Sequence, residues 1–145
     1  MTTQKTEITI ATNDQIEQAF AIRQQVFIEE QNVPEDLERD GLDDDCTHFL
    51  IWVNGVAVGT GRCRTVNSDT IKFERMALLG KYRNQGFGTQ LLQAMITFAR
   101  EKNFQTIRLH AQSEAVPYYR RAGFEVTGDQ FLEAGIVHLP MKLTL

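Results

Sequence analysis

A strand, a glycine-bearing turn and a long amphipathic helix follow one another between residues 71 and 102, and that unit fixes much of what the chain can become. Ile71 to Leu79 reads as a strand, with Phe73, Ala77 and Leu79 assigned by alternation to one side and Glu74, Met76 and Leu78 to the other. Leu91, Leu92, Met95, Ile96, Phe98 and Ala99 form a broad apolar stripe at helical spacing that runs out at Lys102. Between them lies the turn Arg83-Asn84-Gln85-Gly86-Phe87-Gly88-Thr89. A helix starting near Gly86 leaves its first N–H groups without intrahelical partners, and the dipole there favours an anion. Glycine at 86 and 88 removes the Cβ atoms that would hold phosphate oxygens away. Lys81 and Arg83 add positive charge beside it, so the unit reads as a cradle for a diphosphate. It is neither of the common nucleotide loops: the third glycine of G-x-G-x-x-G is absent, and so is the Gly-Lys-Ser/Thr of a Walker A loop.

A chain of 145 residues is expected to form one domain, residues 1–145, with room for a real core. A net charge of −4 argues against a broad nucleic-acid surface. Neither a membrane-spanning apolar run nor the apolar centre of a signal peptide is seen, so the chain is expected to be cytoplasmic. Cys46 and Cys63 lack C-x-x-C spacing and are expected as free thiols, Cys63 in the core. His48, His110 and His138 show no metal-ligand spacing, so no metal is expected.

The remaining elements read in order. Glu7 to Ala11 is a strand, and a helix capped near Thr12-Asn13-Asp14 carries Ile16, Ala19, Phe20, Val26 and Phe27 on one face. Arg23 shares that apolar stripe, which calls for a carboxylate partner, with a substrate role as the alternative. Residues 34–45 are strongly acidic and read as a solvated loop, with a negative rim for a cationic amine as the functional alternative; Thr47 stands where a calcium loop needs its bidentate Glu. Thr47 to Val53 and Val56 to Val66 are strands joined at Asn54-Gly55, the signature of a type I′ turn, and a turn at Asn67-Ser68-Asp69 leads into the strand of the cradle. After the long helix come a strand at Thr106 to Ala111, a short helix with Tyr118 and Tyr119 ending at Gly123, a short strand at Phe124 to Thr127, and a hairpin around Ala134-Gly135. A right-handed helical crossover between two of these strands implies a locally parallel pair inside a mostly antiparallel sheet. If that pair diverges, its unpaired N–H and C=O groups offer partners to an extended amide-containing ligand.

Two motifs carry a family resemblance. Arg83-x-x-Gly86-x-Gly88 after a strand resembles motif A of the GNAT superfamily of acyl-CoA-dependent acetyltransferases, and Ala115-Val116-Pro117-Tyr118-Tyr119-Arg120-Arg121-Ala122-Gly123-Phe124 resembles its motif B. Val26-Phe27 with Glu30-Gln31, Leu109-His110-Ala111-Gln112, and Glu133 to His138 further resemble the ElaA-like branch. The resemblance implies an α/β (α+β) fold: a mixed, mostly antiparallel sheet of about seven strands flanked by helices, with a splayed parallel pair forming an acyl-CoA cleft.

It also implies roles. Arg83, Asn84, Gln85, Gly86, Phe87, Gly88 and Thr89 would hold the diphosphate of acetyl-CoA, the cosubstrate. Met76, Ala77 and Leu78 would pair with pantetheine and supply an N–H to the thioester oxygen. Tyr119 would protonate the departing thiolate, and Tyr118 would be a buried aromatic. Glu74 is the first candidate for the base that deprotonates an ammonium acceptor, with Glu133, His110, His138 and water as alternatives. The expected function is transfer of an acetyl group to a primary amine, a small molecule or a peptide, by direct attack in a ternary complex. An acyl-CoA-binding sensor is the alternative, and docking through the acidic loop is a third reading. The acceptor stays open, and the C-terminal strands are open to a homodimer contact.

Overall fold

The computed structural model describes residues 4–145. Its sheet has eight strands, one more than the sequence led us to expect: β1 Thr6–Ile10, β2 Thr47–Val53, β3 Val56–Thr65, β4 Thr70–Leu78, β5 Thr106–Gln112, β6 Glu125–Val126, β7 Phe131–Glu133 and β8 Ile136–Thr144. The order across the sheet is β1-β2-β3-β4-β5-β8-β6, with β7 also paired to β8. Among the described residues only β4 and β5 run parallel; every other pairing is antiparallel. Four helices complete the fold: α1 Ile16–Arg23, continued by a π-helical stretch Gln24–Glu30, then α2 Glu35–Glu38, α3 Phe87–Glu101 and α4 Val116–Arg121.

The helices divide between the faces of the sheet. Ala19 and Ile22 of α1, with Val26 of the π-helical stretch, pack on Leu50 and Ala77. On the opposite face, Leu91, Leu92, Met95, Ile96 and Ala99 of α3 and Val116 and Tyr119 of α4 join the larger core with Phe49, Ile51, Phe73, Ile107 and Leu109. Burying each large apolar side chain contributes roughly 1.5–3 kcal/mol, so the α3 stripe holds this helix far more firmly than its own propensity would.

Turn chemistry sets the boundaries. Asn54 and Gly55 have φ of 50° and 80°, both positive, as a type I′ turn requires. Helices α3 and α4 stop the same way. Asn103 and Gly123 take positive φ, and the N–H of Phe104 donates to Ala99 O and that of Phe124 to Tyr119 O, closing each last turn.

Two expectations need correction. Alternation along β4 fails at Arg75, whose φ is 56°. Thr60 pairs with Ala77 and Arg62 with Glu74, so three steps on β4 oppose two on β3, the mark of a β-bulge. The extra residue exchanges the faces: Phe73, Met76 and Leu78 pack with the α3 core, while Ala77 and Leu79 pack with the α1 core. The acidic stretch is solvated only in part, with Glu35, Asp36, Asp44 and Asp45 exposed. Glu38, Asp40 and Asp43 fold inward onto three arginines.

Candidate active site

The parallel ladder between β4 and β5 runs from Thr70 opposite Thr106 to Phe73 opposite Leu109 and stops there. Both strands continue, β4 to Leu78 and β5 to Gln112, without pairing to each other. The bulge at Arg75 begins two residues past the last pair, so it marks where β4 leaves its neighbour. Because Leu79 N–H donates to Val58 O, the alternation of an antiparallel ladder turns the main-chain groups of Met76 and Leu78 away from β3, toward the gap. The gap opens into a cleft of about 380 Å³, whose lining includes Phe27, Glu74, Met76, His110, Tyr119 and His138.

A left-handed φ in a residue with a side chain costs roughly 1–2 kcal/mol, so Arg75 needs support. It gets it from its own guanidinium. Nε lies 3.1 Å from Glu38 Oε2, and Nη2 lies 3.2 Å from Asp40 Oδ2. These carboxylates belong to a continuous network. The fully buried Arg62 donates to Asp40, Asp43 and Glu74, and buried Arg23, the stripe arginine, donates to Glu38 and Asp43. Arg62 carries the signal that sequence reading missed: it alternates with Thr60 and Arg64 on a strand otherwise built of small and apolar residues. Its hydrogen bonds and the charges around it outweigh burial and hold its proton more tightly than usual, while the hydrogen bond from Arg62 holds Asp40 well below the ordinary carboxylate range.

Glu74 sits in the same network. Arg62 Nη2 is 3.0 Å away, Arg64 Nε 2.8 Å and Lys72 Nζ 3.4 Å. Burial disfavours its charge, but the Arg64 hydrogen bond and the three cations prevail, and its carboxyl is held below its usual range. A carboxylate stabilised in this way is a weak proton acceptor.

At the far end of β4 the turn forms as read. Gly86 has φ 86° and immediately precedes α3. A Cβ there would meet nothing within 4 Å, so glycine is required by the backbone angle and the surface in front of it is open. At Gly88 a Cβ would lie 3.4 Å from the Tyr118 hydroxyl, which donates to Gly88 O and ties α4 to the helix entrance. Asn84, Gln85 and Thr89 are exposed, and Phe87 is buried beneath them against Tyr82. Arg83 is not a free cation: its Nε donates to Leu78 O at 2.9 Å, and its Nη groups pair with Glu30 at 3.0 and 3.1 Å. That places it between the cradle and the open edge of β4.

Tyr119 is buried, its ring against Tyr118 and Phe124 with centroids 4.8 and 5.8 Å away, and it contributes to the cleft wall. Burial, with Tyr118 beside it, pushes its hydroxyl far up, so it is protonated at neutral pH. Burial raises Tyr118 as well, to about 12. Three of the sequence alternatives for a base converge on the same cleft. His110 Nδ1 is 3.3 Å from Glu133 Oε1, and His138 Nε2 is 3.6 Å from Glu133 Oε2. Both cysteines are free, Cys63 in the core with its thiol pushed far up by burial.

A family model described as an acetyltransferase (GNAT) domain matches residues 8–145. The chain is 37% identical over 134 residues, 91% of its length and 95% of the relative's, to the uncharacterized N-acetyltransferase YjcF of Bacillus subtilis (strain 168). It is similar in structure to Escherichia coli ElaA, with a TM-score of 0.83, 23% identity and coverage of 97% of this chain and 99% of the other. A structure from Elizabethkingia anophelis with acetyl-CoA bound shares the fold, with a TM-score of 0.76, 18% identity and coverage of 97% and 98%. Among the described residues, no helix is long and apolar enough to cross a membrane.

Proposed function

The chain belongs to the GNAT acetyltransferase family and is a transferase enzyme, and from that premise we propose that it moves an acetyl group from acetyl-CoA to a primary amine by direct attack in a ternary complex. The observation that carries the reading is the gap between β4 and β5 beyond Phe73 and Leu109, with an anion-ready helix entrance at one end and a walled cleft at the other. In this reading the amides from Gln85 to Thr89 take the diphosphate, with Asn84 shaping the turn through its φ of 61°. Met76, Ala77 and Leu78 lie along pantetheine, and the N–H groups turned into the gap bind the thioester oxygen. As that oxygen gains charge in the tetrahedral intermediate, such a donor contributes about 2.7–4 kcal/mol. Arg83 gives up Glu30 or shares it, and its charge then faces the diphosphate.

Tyr119 is the acid for the departing thiolate, because it is a protonated hydroxyl in the wall of the cleft, although burial weakens it as an acid. Glu74 is a poor base where it lies, and we assign it to holding Arg62, Arg64 and Lys72 at the cleft wall. The acceptor is a small or peptidic amine.

Thermal unfolding with and without acetyl-CoA, followed by assay of released CoA thiol against spermidine, tyramine, an aminoglycoside and a lysine-containing peptide, tests the proposal. Acetyl-CoA at a hundred times its Kd should stabilise the fold by about 2.7 kcal/mol, and at least one amine should release thiol. Binding without turnover on any amine would favour the sensor reading, and no stabilisation would overturn both.

A further inference from the structure

We infer that His110 is the base of this cleft, oriented by Glu133, with His138 on the other oxygen of the same carboxylate. The inference rests on the acyl-transfer reading and adds the group that prepares the acceptor.

Position is the first argument. Leu109 is the last β5 residue paired to β4, so His110 is the first residue beyond the opening. Its side chain points to the face opposite the buried Ile107, Leu109 and Ala111, onto the cleft. Glu133 closes β7, and His138 stands on β8 opposite Gln112, so three separate strands deliver the three side chains. Phe131 fixes their spacing: His110 meets its ring edge-on at 4.9 Å and His138 stacks on it at 5.9 Å.

The tautomers supply the second argument. A carboxylate only accepts, so the hydrogen on His110 Nδ1 points at Glu133 and the lone pair of the neutral ring is on Nε2. His138 Nδ1 is 2.8 Å from Ile136 O, which also only accepts, so that nitrogen carries a hydrogen, and Nε2 lies 3.6 Å from Glu133 Oε2. Both imidazoles therefore have their polarity set by fixed acceptors. His110 is 34% exposed and Glu133 48%, open enough to meet an acceptor and to return a proton to water, whereas His138 is nearly enclosed.

The charged groups that face His110 are Glu133 on β7 and His138 on β8. Across the gap are Lys72, Glu74 and Arg75 on β4, with Glu38 and Asp40 lining the wall beyond. The carboxylates of that wall are already engaged by arginines, which leaves the imidazole as the cleft's unspent acceptor.

The proton balance closes with these groups. One N–H bond of the ammonium breaks, and that proton goes to His110 Nε2. The freed pair on nitrogen forms the bond to the thioester carbon, and the carbonyl π pair moves to oxygen. On collapse the C–S bond breaks with its pair to sulfur, which takes the Tyr119 proton. The second nitrogen proton restores Tyr119, and His110 releases its own to solvent. The net change is ammonium and acetyl-CoA to amide, CoA thiol and one proton.

The test is the pH profile of thiol release by the full chain, with acetyl-CoA and the fastest amine of the panel, for wild type, H110Q and E133Q. The wild-type rate should rise with pH along a limb that levels off. H110Q should lose about a hundredfold in kcat, lose that limb, and keep the wild-type rise in unfolding temperature with acetyl-CoA. E133Q should lower kcat at unchanged KM for acetyl-CoA and retain the limb. An H110Q profile that keeps both the limb and the rate overturns the inference while the acyltransferase reading stands. Absence of both acetyl-CoA binding and turnover in the wild type overturns the two together.

Discussion

Replacing Arg62 with Met removes the centre of the network beneath the cleft while keeping most of the side-chain volume. Arg62 makes four hydrogen bonds to three carboxylates, at 2.8 to 3.0 Å, and is completely buried. Breaking a buried pair by removing one partner costs about 3–5 kcal/mol, because the other charge stays behind. Here each stranded carboxylate keeps a second cation: Arg23 for Asp43, Arg75 for Asp40, and Arg64 and Lys72 for Glu74. The cost should therefore fall at the low end, about 3 kcal/mol. For a chain of this size that corresponds to a drop in Tm of about 6–12 °C. Differential scanning calorimetry reads it directly, and the unfolding enthalpy verifies that the variant is folded. A Tm within about 2 °C of wild type would refute the reasoning, since it would mean that the network is hydrated and its charges screened. Because Asp40 and Glu38 also hold the Arg75 bulge, the variant should bind acetyl-CoA more weakly as well.

Other outcomes follow from the same contacts. Tyr119→Phe should lower kcat about a hundredfold with the Kd for acetyl-CoA unchanged, measured by thiol release and calorimetric titration; full activity would remove Tyr119 as the acid. Gly59→Ala places a Cβ 2.7 Å from Leu78 Cδ1 and 2.8 Å from Ile51 Cγ2, and should cost about 1–3 kcal/mol in urea unfolding. Asp40, Asp43 and Glu74 are all held below their ordinary values of 3.8 and 4.5, so the stability they contribute is full above those values and drains as the pH falls through the lower folded ones. The acid limb of Tm against pH should be shallower in Arg62→Met, because Asp40 loses the hydrogen bond that lowers it most.

The fold was legible where local chemistry decides it. Asn54-Gly55, the stripe from Leu91 to Ala99 and the glycine stop at 123 each specify a boundary by their own conformational preference. The parallel pair followed from handedness once those elements were placed, and the need of Arg23 for a carboxylate followed from its place among apolar neighbours. The bulge was not legible, because nothing in Phe73-Glu74-Arg75-Met76 announces a left-handed arginine; the β3 register and distant carboxylates impose it. The acidic loop misled for a related reason. Its partners Arg23, Arg62 and Arg75 lie 15 to 37 positions away from the residues they hold, and only the assembled sheet turns them inward. In the cleft, the candidates His110, Glu133 and His138 were visible one at a time; their meeting depends on the pairing of β5, β7 and β8.

The most direct test of the account is to follow backbone amide resonances of the uniformly labelled chain during titration with acetyl-CoA. Gripping of the diphosphate and alignment of the thioester arm should shift Gly86 to Thr89 most, together with Met76 and Leu78, saturating with one constant. Full binding with these amides unmoved and the largest changes elsewhere would contradict it.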